Sequence, residues 1–322
     1  MKCLWIALGV VAALVLVVLI LALECYRRAF YAPPRKPERS QKINLPVGSI
    51  YEPFWEDMKQ WAMAMRAMPC EELEITSFDG LRLRGRFYEY APGAPIELMI
   101  HGYRGDAERD MPGGVQRCFK LGRSALVIDQ RCAAGSQGRT ITFGIKEHRD
   151  CLAWVGFMVE HYGKDVKIIL TGISMGAATV LMAAGKELPP NVIGVIADCP
   201  YSSPKEIIQI VIGKMGLPVK LAYPFVRLGA RLYGGFDLES FSPIEAMKQC
   251  KVPVIFFHGE DDDFVPCQMS RDMYGVCTAR KKLVTVAGAG HGLACLVDPE
   301  GYYEALREFF GPEASARKEE RV

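Results

Sequence analysis

Histidine is scarce and metal-ligand spacing is missing. The 322 residues hold five histidines, and the eleven cysteines include no Cys-x-x-Cys pair, so neither a zinc ligand set nor a disulfide framework is legible. No metal and no cofactor is expected. Charge bias is absent too: 39 basic residues stand against 37 acidic ones, a net of +2. With the basic residues scattered, there is no electrostatic stripe for nucleic acid. Repeats, low-complexity tracts and the polar bias of disorder are also missing, which excludes a solenoid and an unstructured chain. A chain that is half hydrophobic points instead to a globular domain with a small neutral or amphiphilic partner.

Between Leu4 and Leu23 charge and proline vanish altogether. About 20 apolar residues at about 1.5 Å each match a bilayer's hydrocarbon thickness of about 30 Å. No small-x-small cleavage site follows, and Glu24 before Cys25 argues against a lipoprotein-type signal. Residues 1–23 are therefore expected to form an uncleaved transmembrane anchor, making the membrane a partner. Arg27, Arg28, Arg35, Lys36, Arg39 and Lys42 follow the span whereas Lys2 precedes it, which favours a cytoplasmic catalytic face. The unpatterned cysteines suit the same reducing side.

Residues 24–50 are basic and contain proline, as an extended linker would. A folded domain over 51–311 and a charged tail over 312–322 complete the division. Tyr51 to Met68 carries aromatic and Met residues at helical spacing, for packing into the core or for lying on lipid or over an entrance. Leu73 to Phe78 and Leu81 to Tyr90 alternate around Asp79-Gly80 and predict an antiparallel hairpin. Apolar runs then recur at Ile96 to Ile100, Ala125 to Ile128, Val166 to Leu170, Val192 to Ala197, Val252 to Phe257 and Leu283 to Val286. Helix-patterned stretches separate most of them, so the expected class is α/β, with a mostly parallel sheet covered on both faces. The long interval before Val252 predicts a helical cap insertion at about 201–249.

Gly172-Ile173-Ser174-Met175-Gly176 joins a strand to a helix. Glycines flanking a serine in that setting permit the strained turn of a nucleophile elbow. A serine hydroxyl needs a base and an acid to orient that base. Of the two histidines after Ser174, His258 ends a strand and reads as structural, whereas His291 lies in a glycine-rich loop before the last helix. The acid comes from the cluster Glu260, Asp261, Asp262, Asp263, which spacing alone leaves unresolved. The backbone N–H groups of Tyr103, after the strand 96–100, and of Met175 are placed to form an oxyanion hole.

These marks, together with His101-Gly102-Tyr103, His258 to Pro266 and Gly290-His291-Gly292, resemble the α/β-hydrolase superfamily, in particular its bacterial serine aminopeptidase-like and esterase-like branch. The resemblance implies an α/β-hydrolase fold, and its His-Gly-x-x-Asp-x-x-Val-Pro pattern selects Asp262 as the triad acid, with Asp198 as the alternative used in some members. One departure is the loop from Asp129 to Gly138, where the Gly-His-Gly core usual in the family is replaced; with the cap, the 131–142 wall is expected to shape the substrate site. Cys132 in that loop is a thiol near the pocket or a buried inert residue. The expected activity is hydrolysis of an ester or related acyl bond by Ser174, His291 and Asp262. Amidase, peptidase or thioesterase action by the same residues, or a non-catalytic binding protein on this fold, are the alternatives.

Overall fold

The computed structural model describes residues 1–33 and 43–311. Residues 34–42, within the expected linker, and the expected tail 312–322 lie outside the described residues. Eight strands form one sheet in the order β1-β2-β4-β3-β5-β6-β7-β8. Strands β1 (Glu71–Thr76) and β2 (Arg82–Tyr88) pair antiparallel, as the alternation on either side of Asp79-Gly80 predicts. Strand β2 also pairs antiparallel with β4 (Ser124–Asp129). From there the pairing is parallel through β3 (Ile96–Ile100), β5 (Ile168–Ile173), β6 (Val192–Asp198), β7 (Val254–Gly259) and β8 (Lys281–Val286).

Strands buried on both faces explain the near-continuous apolar runs. Leu98, Leu126 and Leu170 point to one layer, packing with Trp154 and Val180 of helices α5 (Glu147–Tyr162) and α6 (Met175–Ala184). Met99 and Val127 point to the other, against Met65 and Val115 of α2 (Trp55–Ala67) and α4 (Pro112–Lys120). Helix α4 follows the short α3 (Ala107–Asp110). Farther along that second face, Ile169, Ile196 and Phe257 meet α11 (Ala294–Val297) and α12 (Pro299–Phe310).

The interval expected as a cap holds α7 (Pro204–Lys214), α8 (Val219–Leu232) and α9 (Pro243–Met247). Helix α9 differs from the other two, because Ala246 and Met247 belong to the main core beside α6 and α10 (Cys267–Val276). The expected linker also differs from what its composition suggests. Helix α1 runs from Lys2 to Ala29 without a break at Glu24. Phe30 is fully buried, edge-on to Phe143 and Phe236 with ring centroids 5.8 and 5.2 Å away. Tyr31 bridges to Thr140, and the Ile141 N–H donates to the Phe30 carbonyl at 2.8 Å. Apolar burial of the Phe30 ring outweighs the solubility of its basic neighbours, so the chain docks here and does not extend.

Candidate active site

Ser174 sits between β5 and α6 with φ 53° and ψ −117°, a backbone conformation a serine adopts only under constraint. Close approach supplies the constraint. A Cβ on Gly176 would stand 2.0 Å from the Ile100 carbonyl oxygen, and one on Gly172 would stand 2.3 Å from the Gly176 backbone. The turn is thereby pinned on β3, and the Ser174 N–H donates to the Asp198 carbonyl of β6 at 2.8 Å.

His291 Nε2 lies 2.9 Å from Ser174 Oγ, and its Nδ1 lies 2.7 Å from Asp262 Oδ2. The other Asp262 oxygen accepts the N–H groups of Phe264 and Val265 at 2.9 and 2.8 Å. Burial alone would raise the Asp262 carboxyl, but hydrogen bonds from His258, His291 and the Val265 N–H hold it well below the usual carboxylate range. It is therefore an anion facing the imidazole, as a base-orienting group must be. His258 is fully buried, with Nε2 2.8 Å from the Val265 carbonyl and 3.3 Å from Asp262 Oδ2. Nε2 donates to that carbonyl, and Nδ1 lies 2.7 Å from Ser270 Oγ. The residue fixes the whole acid loop. Asp198, the alternative acid, instead accepts from Tyr302 Oη at 3.1 Å.

Tyr103 follows β3, and Met175, directly after Ser174, is the first residue of α6. The loop before Tyr103 is braced from below. Gln130 N–H donates to His101 Nε2 at 3.0 Å, and Gln130 Nε2 donates to the His101 carbonyl at 2.6 Å. The Gly102 N–H donates to Asp110 Oδ2 at 2.9 Å. The Tyr103 side chain has a separate task, since its hydroxyl donates to the Ala29 carbonyl of α1 at 2.7 Å.

A model of the α/β hydrolase fold matches residues 98–242. The YqkD protein of Bacillus subtilis is 26% identical over 190 residues, which cover 59% of this chain and 62% of that protein. The thiohydrolase aneE of Aspergillus aculeatus is 34% identical over 116 residues, 35% of this chain and 36% of the other. Among solved structures, an esterase from Pyrococcus furiosus superposes with a TM-score of 0.63 at 22% identity, over 86% of this chain and 97% of that one. At that identity the likeness speaks for the fold. The chain has the α/β-hydrolase fold.

The main cavity, of about 490 Å³, opens beside Ser174 and His291. Its walls correct one expectation. No residue of 131–142 or 201–249 lines it; Tyr51, Met58 and Trp61, helices α3 and α4, and helices α11 and α12 do. Arg131 is turned inward, bound to Asp150 at 2.6 and 2.7 Å and to Asp79 at 3.0 Å. The start of the 131–142 segment is thus held against the core by buried charge. Burial pushes the Cys132 thiol up to about 12, which makes it a poor nucleophile. The helix read from Tyr51 to Met68 is a short 3₁₀ turn (Ser49–Phe54) followed by α2. One side of α2 buries Ala62 and Met65, the core packing expected of it, while Met58 and Trp61 line the cavity.

Sequence reasoning missed Asp110, which has no motif, and Cys199, whose Sγ lies 4.0 Å from His291 Nε2. Cys199, Asp262 and His291 are the one group of potential ion ligands found among the described residues. They fit an ion poorly, because burial keeps the Cys199 thiol protonated and the other two face one another.

Proposed function

We propose that the chain is a membrane-anchored serine hydrolase of carboxylic esters, with Ser174 as nucleophile, His291 as general base and Asp262 as its orienting acid. The observation that carries this reading is the unbroken contact path from Ser174 Oγ to His291 at 2.9 Å and on to Asp262 at 2.7 Å. His291 Nε2 takes the hydroxyl proton as Ser174 Oγ bonds to the ester carbonyl carbon. The oxyanion meets the N–H groups of Tyr103 and Met175. Collapse breaks the C–O bond, and the leaving alcohol departs with the proton from His291. Water, deprotonated by His291, then releases the acid from Ser174.

A fluorophosphonate probe tests this. Wild-type protein is expected to label and Ser174→Ala to stay unlabelled while folded; equal labelling of both, or of neither, sinks the reading and leaves a non-catalytic binding protein. Thioesters are the second reading, favoured by the local 34% identity to a thiohydrolase. Relative turnover of an oxygen ester and a thioester of one acyl chain separates the two.

Helix α1 supports the anchor. It is 28 residues long, its most apolar 18-residue window has a mean hydropathy of 3.3, and that window is only 6% buried. A core helix would be covered. Arg27 and Arg28 at its end favour a cytoplasmic domain; protease accessibility in intact cells tests the side.

A further inference from the structure

The last turns of α1 are part of the catalytic domain. The Tyr103 hydroxyl donates to the Ala29 carbonyl, and Arg104 Nη2 donates to the carbonyls of Arg28 and Tyr31 at 2.9 and 3.1 Å. Helix α8 packs along the same stretch. A Cβ on Gly229 would stand 2.3 Å from the Ala22 carbonyl oxygen, and Tyr233 Oη donates to the Leu19 carbonyl at 3.1 Å. The two helices therefore run antiparallel, with the end of α8 level with Leu19, inside the apolar run that ends at Leu23.

This docking fixes a depth. Ala29, bonded to a residue that lines the cavity beside Ser174, is six residues beyond Leu23. At about 1.5 Å per residue that is about 9 Å past the end of the apolar run, at the outer edge of a bilayer's headgroup layer. Leu232 and Tyr233 are exposed, at 53% and 38%, where lipid would cover them. Tyr26 and Tyr233 pack 6.0 Å apart, and tyrosines are enriched at the membrane interface. Arg231, on the same turn, turns its guanidinium to Asp237, consistent with a cation held at a lipid surface by its partner.

Resting on the hydrolase and anchor readings, we propose that the substrate is an acyl ester resident in the bilayer that holds α1, taken up from the headgroup layer by the cavity beside Ser174, which the Tyr103–Ala29 contact holds at the bilayer surface. The ester linkage of an amphiphile lies at the inner side of that headgroup layer, between its polar head and its acyl chain. The cavity suits the acyl part, with Met58, Trp61, Met99, Met111 and Leu296 in its walls.

Full-length protein in phosphatidylcholine vesicles is assayed by initial rate on 4-methylumbelliferyl oleate. The ester is placed either in the enzyme's own vesicles or in separate enzyme-free ones, and the soluble butyrate ester reports the intact chemistry. In parallel, p-benzoylphenylalanine at position 232 is photolysed, with position 16 as the control inside the span and position 248 as the control on the exposed domain surface. The expected result is oleate turnover at least ten-fold faster from the shared bilayer, with phospholipid adducts at 16 and 232 and none at 248. Butyrate hydrolysis with equal oleate rates from the two kinds of vesicle overturns the substrate assignment. Adducts at 16 without one at 232, or an adduct at 248, overturn the docking depth. Absence of Ser174-dependent hydrolysis of both esters, or of an adduct at 16, refutes the hydrolase or the anchor reading respectively, and the inference falls with it.

Discussion

Asp110 Oδ2 accepts the Gly102 N–H at 2.9 Å while both of its oxygens are held by Arg109, at 2.6 and 3.1 Å. An aspartate eight residues downstream thus sets the pitch of the peptide that precedes Tyr103. Removing it frees that peptide to rotate, and a misaimed oxyanion donor weakens transition-state binding more than substrate binding. Asp110→Ala is expected to lower kcat about ten-fold to a hundred-fold on p-nitrophenyl butyrate with KM changed less than about three-fold. A change confined to KM would show that Asp110 shapes the cavity and not the oxyanion loop.

The acid is the second point of test. Asp262→Asn keeps the shape of the loop but offers His291 Nδ1 an amide in place of an anion, so the imidazole is no longer fixed in the working tautomer. Turnover is expected to fall by about 10⁴. Asp198→Asn, which alters the group beside Tyr302, is expected to leave turnover within about five-fold. The opposite ranking in steady-state kinetics would transfer the role of acid to Asp198.

Asp198 is more informative for stability. Burial raises it from 3.8 to about 6 despite the Tyr302 hydrogen bond. The folded state therefore retains a proton that the unfolded chain releases near pH 4. Stability associated with this group is greatest below about pH 4 and declines as pH rises through 6, by up to about 3 kcal/mol. Thermal melts of wild type and Asp198→Asn at matched pH are expected to diverge in favour of the variant between pH 4 and pH 7. A constant offset across that range would mean that Asp198 does not titrate there.

Glu97 makes a contrasting case inside the sheet. It is fully buried, contacts Arg117, and binds Arg123 at 2.8 Å and Thr171 at 2.9 Å. Glu97→Gln leaves two buried guanidinium groups without their anion, and a loss of about 3–5 kcal/mol is expected in urea unfolding. A change under about 1 kcal/mol would show that the two arginines find other acceptors.

The parts of this architecture that were legible in the sequence are those written in a short period. The alternation around Asp79-Gly80, the apolar strand runs and the Gly172 to Gly176 turn all state local geometry directly. Asp262, by contrast, was singled out from its acidic neighbours by resemblance, and the structure brings it, not Asp198, to His291. Helix α4 was not legible because it opens on Pro112-Gly113-Gly114, which reads as a turn. It is helical because its buried face, Val115 and Cys118 among it, packs on the sheet. The docking of residues 24–33 was hidden for a related reason: the basic, proline-containing composition is real, but Phe30 finds an aromatic pocket made by Phe143 and Phe236, more than a hundred residues away. The same holds for Asp110, whose partner Gly102 is supplied by a turn and not by a sequence pattern.

The grip of Tyr103 and Arg104 on the end of α1 also limits how the domain can search. A catalytic unit on a loose tether tumbles and samples a hemisphere above the membrane. On the proposed anchor reading, one bolted to its own span by hydrogen bonds from Tyr103 and Arg104 would drift and spin only about the bilayer normal, so its encounters would become two-dimensional, with the cavity at one height and one tilt. Crowding within the membrane plane, more than dilution in the surrounding water, would then set how often it meets an ester.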